Sequence, residues 1–201
     1  MKLTAVHFDY NTNAVSQKAF DEHIQLYNGY VAKYNETTEG LAKVALGDNP
    51  TFSAYRGLKL GQAYSLAGVV LHEIYFGCMS SRPSAPCALT TQFLETGFGS
   101  YQGWMDDFKA CAASARGWAV LCYEPRSISL SNIMLDTHDD GMIAGTYPLT
   151  AIDMYEHSYF GDYGTNRKQY IENFTSSINW LEVSGRIKTV AQIVASQNAS
   201  A

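Results

Sequence analysis

Charge is scarce in this chain of 201 residues: Lys, Arg, Asp and Glu together make up 16%, with 14 basic residues against 19 acidic ones. No cluster of Lys and Arg occurs, which excludes a surface built to neutralise nucleic-acid phosphates. Apolar runs never approach the eighteen or so residues that a membrane-spanning helix needs, so no membrane partner is expected. The opening MKLTAVHFDYNTN lacks the apolar stretch and small-residue cleavage site of a secretory leader, which predicts a cytoplasmic protein. Cysteine is confined to positions 78, 87, 111 and 122 with no CxxC spacing, which in such a chain reads as buried thiols rather than zinc ligands or disulfides. Cys78 and Cys87, on either side of a turn, are a candidate pair under oxidation. The chain is instead rich in apolar residues, 46%, and in rings, 13% aromatic with 14 Tyr, a globular composition whose buried phenols each need a polar partner. Its length suffices for a core in one domain or two small layers without a covalent staple.

Hydrophobic periodicity divides the chain. Residues 16–44 predict a long helix, with Ser16 as N-cap and Phe20, Ile24, Tyr27, Val31 and Tyr34 at helical spacing. Gly47, Asp48, Asn49 and Pro50 end it. Residues 60–79 predict a second helix, apolar nearly all round and therefore buried. The SSRPSAP stretch at 80–86 is the candidate linker. Two helical segments follow at about 87–97 and 101–114, separated by Gly99 and Ser100, then strands at 117–123, 127–135 and 147–153, and a final return to helical periodicity. The expected fold is α+β: an N-terminal antiparallel helical hairpin, residues 1–84, packed on a C-terminal domain, 85–201, with a three-stranded antiparallel sheet and surrounding helices.

The segment AIDMYEHSYFGDYG, residues 151–164, sets Asp153 and His157 four apart among aromatics, with Glu156 before the histidine. Carboxylate and imidazole together suit manganese, iron or zinc. The competing reading is an ordinary i,i+4 ion pair on a helix surface. Other histidines weigh against it. His72 lies in VVLHEIYF, on a helix expected to be buried, where an imidazole needs a partner to offset its desolvation. His23 shares a stripe with Tyr27, Tyr30 and Tyr34. Two imidazoles from the hairpin with Asp153 and His157 would make a three-nitrogen, one-oxygen site that joins the two halves. A one-electron metal there would allow redox turnover, whereas zinc would favour hydrolysis.

These residues sit in longer motifs. IDMYEHSYFGDY, TNRKQYIENF, SINWLEV, FGSYQGWMDDF, ARGWAVL and LHEIYF, spread over most of the chain, resemble the signature segments of the iron/manganese superoxide dismutases. The resemblance implies dismutation of superoxide to dioxygen and hydrogen peroxide at one manganese or iron ion per subunit. It assigns His72, Asp153 and His157 as ligands, Tyr30 as the gateway tyrosine and Trp118 as an aromatic wall, with Tyr155 where Trp is usual and Tyr159 beside it. It also implies a homodimer or dimer of dimers in which Glu156 reaches the ligand histidine of a second subunit. Arg167, and after it Lys33, are candidates for the positive funnel that an anionic substrate needs.

Two departures stand out. The family's first ligand histidine precedes the gateway tyrosine by eight residues, yet here His23 precedes Tyr30 by seven and Glu22 holds the eighth position; His23 is preferred and Glu22 is the alternative. The paired histidines usual between them are replaced by Leu26, Tyr27 and Asn28. For the outer hydrogen-bond donor, Gly68 occupies the iron-type position while His138 falls at the manganese-type one; read without the resemblance, His138 is a turn histidine in THDDG. Manganese and iron remain open. So do a different oxidase or hydrolase activity on the same scaffold, and a relative without turnover.

Overall fold

A computed structural model describes residues 2–198; the outermost residues of the two expected domains, 1 and 199–201, lie outside the described residues. Helix α1, Gln17–Leu41, begins where the sequence places it: the Ser16 hydroxyl accepts the Ala19 N–H at 3.2 Å. Its buried residues Phe20, His23, Tyr27 and Val31 recur every three or four positions, so they form one inward stripe. Helix α2, Ala54–Gly77, starts six residues before the expected Leu60 because Ser53 caps it, its hydroxyl accepting the Arg56 N–H. Gly57 and Gly61 weaken the helical signal in that first part. The two helices pack on each other, and α2 packs on the sheet.

Helices α3, Ala88–Phe98, and α4, Tyr101–Ser114, meet at a tight corner in which Gly99 takes φ 77° and the Ser100 hydroxyl caps α4 through the Gly103 N–H. A Cβ at position 103 would lie 2.4 Å from the Phe98 carbonyl oxygen, so the corner requires glycine there. Strands β1, Trp118–Glu124, β2, Ser129–Leu135, and β3, Tyr147–Asp153, form an antiparallel sheet in the order β2-β1-β3. The central strand, β1, is buried almost throughout. Its register sets Trp118 opposite Asp153, which matters below. Helices α5, Glu156–Tyr163, α6, Arg167–Ser176, and α7, Trp180–Asn198, complete the fold, with Tyr170, Phe174, Ile178, Val183 and Ile187 in the core.

The end of the hairpin is tied to the C-terminal half: the Ser80 N–H donates to the Ser177 carbonyl at 2.8 Å, and the Asn179 N–H to the Cys78 carbonyl at 2.7 Å. All four cysteines are free, which corrects the candidate Cys78–Cys87 pair. Cys78 is buried with its thiol on the Leu149 carbonyl, while the Cys87 sulfur sits beside the Thr90 hydroxyl at the start of α3. Among the described residues, no helix is long and apolar enough to cross a membrane.

Candidate metal centre

Four side chains from four elements converge where the hairpin meets the sheet. His23 comes from the inward stripe of α1, His72 from α2, Asp153 from the last position of β3, and His157 from the first turn of α5. One donor atom from each lies within 4.8 Å of all the others. The Asp153 Oδ2 is 3.2 Å from His23 Nε2, 3.3 Å from His157 Nε2 and 3.8 Å from His72 Nε2. His23, His72 and Asp153 are buried, whereas the His157 side chain is 31% exposed. Glu22, one position off the stripe, points outward with its side chain 66% exposed. The helical period of α1 therefore brings His23, and not Glu22, to the cluster.

The surrounding hydrogen bonds fix the donors. His72 Nδ1 lies 2.6 Å from the Gly68 carbonyl, which can only accept, so the ring's proton is on Nδ1 and Nε2 offers its lone pair. The Asp153 Oδ1 accepts the Tyr155 N–H at 2.9 Å, and its backbone carbonyl accepts from the Ser158 and Tyr170 hydroxyls. Burial pushes the Asp153 carboxyl up, but the imidazoles of His157 and His23 set against it outweigh that and hold the group below the usual carboxylate range. Burial lowers His23, and it lowers His72 to about 3, against the pull of Asp153. His23 and His72 are thus held neutral beside one anion. The Nε2 atoms of His23 and His72 are buried without any hydrogen-bond partner, a costly arrangement that a bound cation would satisfy. Three nitrogens and one carboxylate oxygen suit a divalent or trivalent transition metal.

A second layer covers this cluster. The Trp118 indole N–H donates to His138 Nδ1 at 2.9 Å; indole can only donate, so His138 carries its proton on Nε2, a buried donor with no partner among protein atoms. The ring of His138 contacts those of Tyr30 at 4.7 Å, Tyr64 at 4.6 Å and Tyr155 at 5.4 Å. At Gly68 a Cβ would meet the Tyr30 ring at 3.1 Å and His138 Cδ2 at 3.3 Å, so the space a side chain at 68 would enter is already filled. His138 is accordingly part of the pocket rather than a turn histidine. Trp118 contacts His72 edge-on at 5.1 Å, and Tyr155 stacks on His157 at 5.5 Å.

Other expected residues lie further out. Tyr159 stacks on Tyr170, whose hydroxyl holds the Asp153 carbonyl. Arg167 lies against the Tyr159 ring and donates to the Ala112 and Ala115 carbonyls at the end of α4. Its charge is committed to that helix terminus, which argues against a funnel. Lys33 is paired with Glu36 at 2.7 Å on the surface. Glu156 is exposed next to His157 and lines a recess with Glu22, Leu26 and Phe160. Tyr27, on the expected stripe with His23, donates its hydroxyl proton to Glu73 at 2.8 Å, while two aromatic residues escaped the sequence reading of the site: Tyr64, and Tyr75, which packs on His23 at 5.1 Å. Their helical spacing from His72 was the available signal.

Fold and site together define a protein with a mononuclear metal centre built between a helical hairpin and a three-stranded sheet. Residues 87–186 match the family profile of the iron/manganese superoxide dismutases, C-terminal domain. The chain is 36% identical over 184 residues to "Superoxide dismutase [Fe]" of Aquifex aeolicus, covering 89% of this chain and 86% of that protein. It is 30% identical over 196 residues to "Superoxide dismutase [Mn] 1" of Halobacterium salinarum, 95% and 96% of the two chains, and 34% identical over 176 residues to "Superoxide dismutase [Fe]" of Cupriavidus metallidurans, 86% and 88%. This chain belongs to the iron/manganese superoxide dismutase family.

Proposed function

We propose that the chain dismutes superoxide with one manganese or iron ion held by His23, His72, Asp153 and His157. The observation that carries the reading is the pair of buried, unpartnered imidazole nitrogens facing one ionised carboxylate. Bound there, manganese or iron supplies the one-electron couple that dismutation to dioxygen and hydrogen peroxide requires.

The chain's own residues set the rest. Trp118 fixes the tautomer of His138 and so keeps a proton at Nε2 inside the pocket. Tyr30 and Tyr155 narrow the mouth, and burial pushes both phenols up, so each keeps its proton at neutral pH. Each peroxide formed takes up two protons, and the His138 Nε2–H and the Tyr30 hydroxyl are the proton-bearing groups beside the cluster. Tyr159 and Arg167 act from behind, bracing Tyr170 and through it Asp153.

The assembly we propose is a homodimer, alone or as a dimer of dimers, in which Glu156 reaches His157 of the partner subunit. Exposure of Glu156 beside a ligand histidine that is itself partly open supports it. We put the break between hairpin and C-terminal domain at 84/85; the irregular backbone there and the start of the family match at 87 support that choice. Four free thiols suit a reducing, cytoplasmic location.

The test is superoxide decay by fast kinetics on protein of known metal content, loaded separately with manganese and with iron. Decay in proportion to bound metal is expected for at least one of them. Full occupancy by either metal with no decay above buffer would overturn the reading.

A further inference from the structure

Tyr27 stands in the stretch where the family usually carries paired histidines, one turn beyond His23 on α1. It is fully buried, and its hydroxyl uses both of its hydrogen-bonding roles: it accepts the Val6 N–H at 2.8 Å and donates to Glu73 Oε1 at 2.8 Å. Glu73 directly follows His72 on α2. One phenol therefore joins the two hairpin helices within a turn of a ligand on each.

Val6 belongs to an irregular strap, residues 2–10, that runs antiparallel to α1. Along it, Lys2 pairs with Glu39 at 2.6 Å, and Leu3 exchanges two hydrogen bonds with the Asn35 side chain, at 2.8 and 2.9 Å. Val6 then meets Tyr27, and the Tyr10 ring meets Phe20 at 5.6 Å. The strap thus follows α1 from its last turns to its first. Phe8 packs on Tyr27 at 6.1 Å and on Phe76 at 5.4 Å, and Phe76 in turn contacts the ring of His23 at 5.1 Å.

We propose that Tyr27 is a positioning residue for the metal ligands: through Val6 and Glu73 it locks the strap and the two helices together and so sets the spacing of His23 and His72. The proposal rests on the metal-centre reading above. A carboxylate is the stronger acceptor for such a lock, because a charge-assisted hydrogen bond is about twice as strong as a neutral one. Tyr27→Phe keeps the ring against Phe8 and removes only the hydroxyl, leaving the Val6 N–H and the Glu73 carboxylate unpaired. Glu73→Gln is the milder variant, since it keeps an acceptor oxygen and removes the charge.

Two measurements test the lock. In metal-free protein, Tyr27→Phe is expected to lower the melting temperature by about 4 °C or more, and Glu73→Gln should cost less in the Tyr27→Phe background than in the parent. In manganese(II)-loaded protein, Tyr27→Phe is expected to change the zero-field splitting seen by electron paramagnetic resonance. It should also raise the manganese dissociation constant, read by chelator competition, about tenfold or more. Glu73→Gln should move both in the same direction by less. Gly103→Ala, at the α3–α4 corner, should lower the melting temperature and leave spectrum and affinity as in the parent, so lost stability alone does not produce the effect. Parent-like spectrum and affinity in Tyr27→Phe, or melting losses that simply add, would overturn the proposal. A failure of the dismutase reading is seen separately, as absent superoxide decay with the metal-free coupling intact.

Discussion

Each donor is held by one or two identifiable contacts. His157, partly exposed and joined to Asp153 at 3.3 Å, is the ligand most easily removed without disturbing the core. His157→Ala is expected to weaken metal binding by more than the roughly 10- to 100-fold that loss of an outer partner costs, read by metal analysis after dialysis. Wild-type occupancy in that variant would contradict the assignment. Glu22→Gln should leave metal content unchanged and His23→Ala should abolish it, because only His23 lies on the inward stripe. The buried histidines also give the metal-free protein a defined pH response. His72 is lowered to about 3 when folded, against 6.5 when unfolded, so below 6.5 the unfolded chain binds more protons. Stability should therefore be fully present above pH 6.5 and fall as the pH drops toward 3, with urea midpoints at pH 7 and pH 5 as the check. Equal midpoints would show that His72 is not buried neutral. At this scale the sequence was informative about types: His72, Asp153 and His157 stood out by chemistry and motif. It was silent about Tyr64, since a position two turns before His72 gives the side of α2 but not which other helices end there.

At the scale of elements, local signals carried most of the fold. Ser16 and Ser100 mark helix starts that the structure keeps, and the strand limits differ from expectation by no more than two residues. The start of α2 was misplaced because glycines at 57 and 61 dilute helical propensity in a segment whose stability comes from packing on α1. The α3–α4 corner is a place where one side-chain atom decides the geometry. Gly103→Ala would press a Cβ into the Phe98 carbonyl, at a cost of about 2 kcal/mol, or a melting temperature about 4–8 °C lower. An unchanged melting temperature would mean the corner relaxes freely. Strand register has a functional consequence: pairing Trp118 with Asp153 sets the residue that orients His138 directly across from a ligand. Such pairing depends on contacts between strands far apart in sequence, and no local pattern reveals it.

For the molecule as a whole, the metal cluster sits at the joint between two halves that also meet through α2 and the sheet, through α1 and α5, and through the backbone bonds at Cys78 and Ser80. Loading the metal should raise the melting temperature in proportion to the logarithm of its concentration over the dissociation constant, and chelation should reverse the gain. The acidic balance, 14 basic against 19 acidic residues, goes with the commitment of Arg167 to the end of α4 and of Lys33 to Glu36, so neither of the two expected cations is free to steer an anion. The proposed dimer makes its own demand: Glu156→Ala should shift the sedimentation profile toward monomer and, through the partner subunit's His157, lower metal retention together with it. A dimer of unchanged stability would contradict that contact. The central claim is the quartet itself, and anomalous diffraction at the manganese edge from crystals of manganese-loaded protein tests it most directly. The account expects one peak per chain, about 2 Å from His23 Nε2, His72 Nε2, Asp153 Oδ2 and His157 Nε2. A peak bound by Glu22, or one lying outside these four side chains, would contradict it.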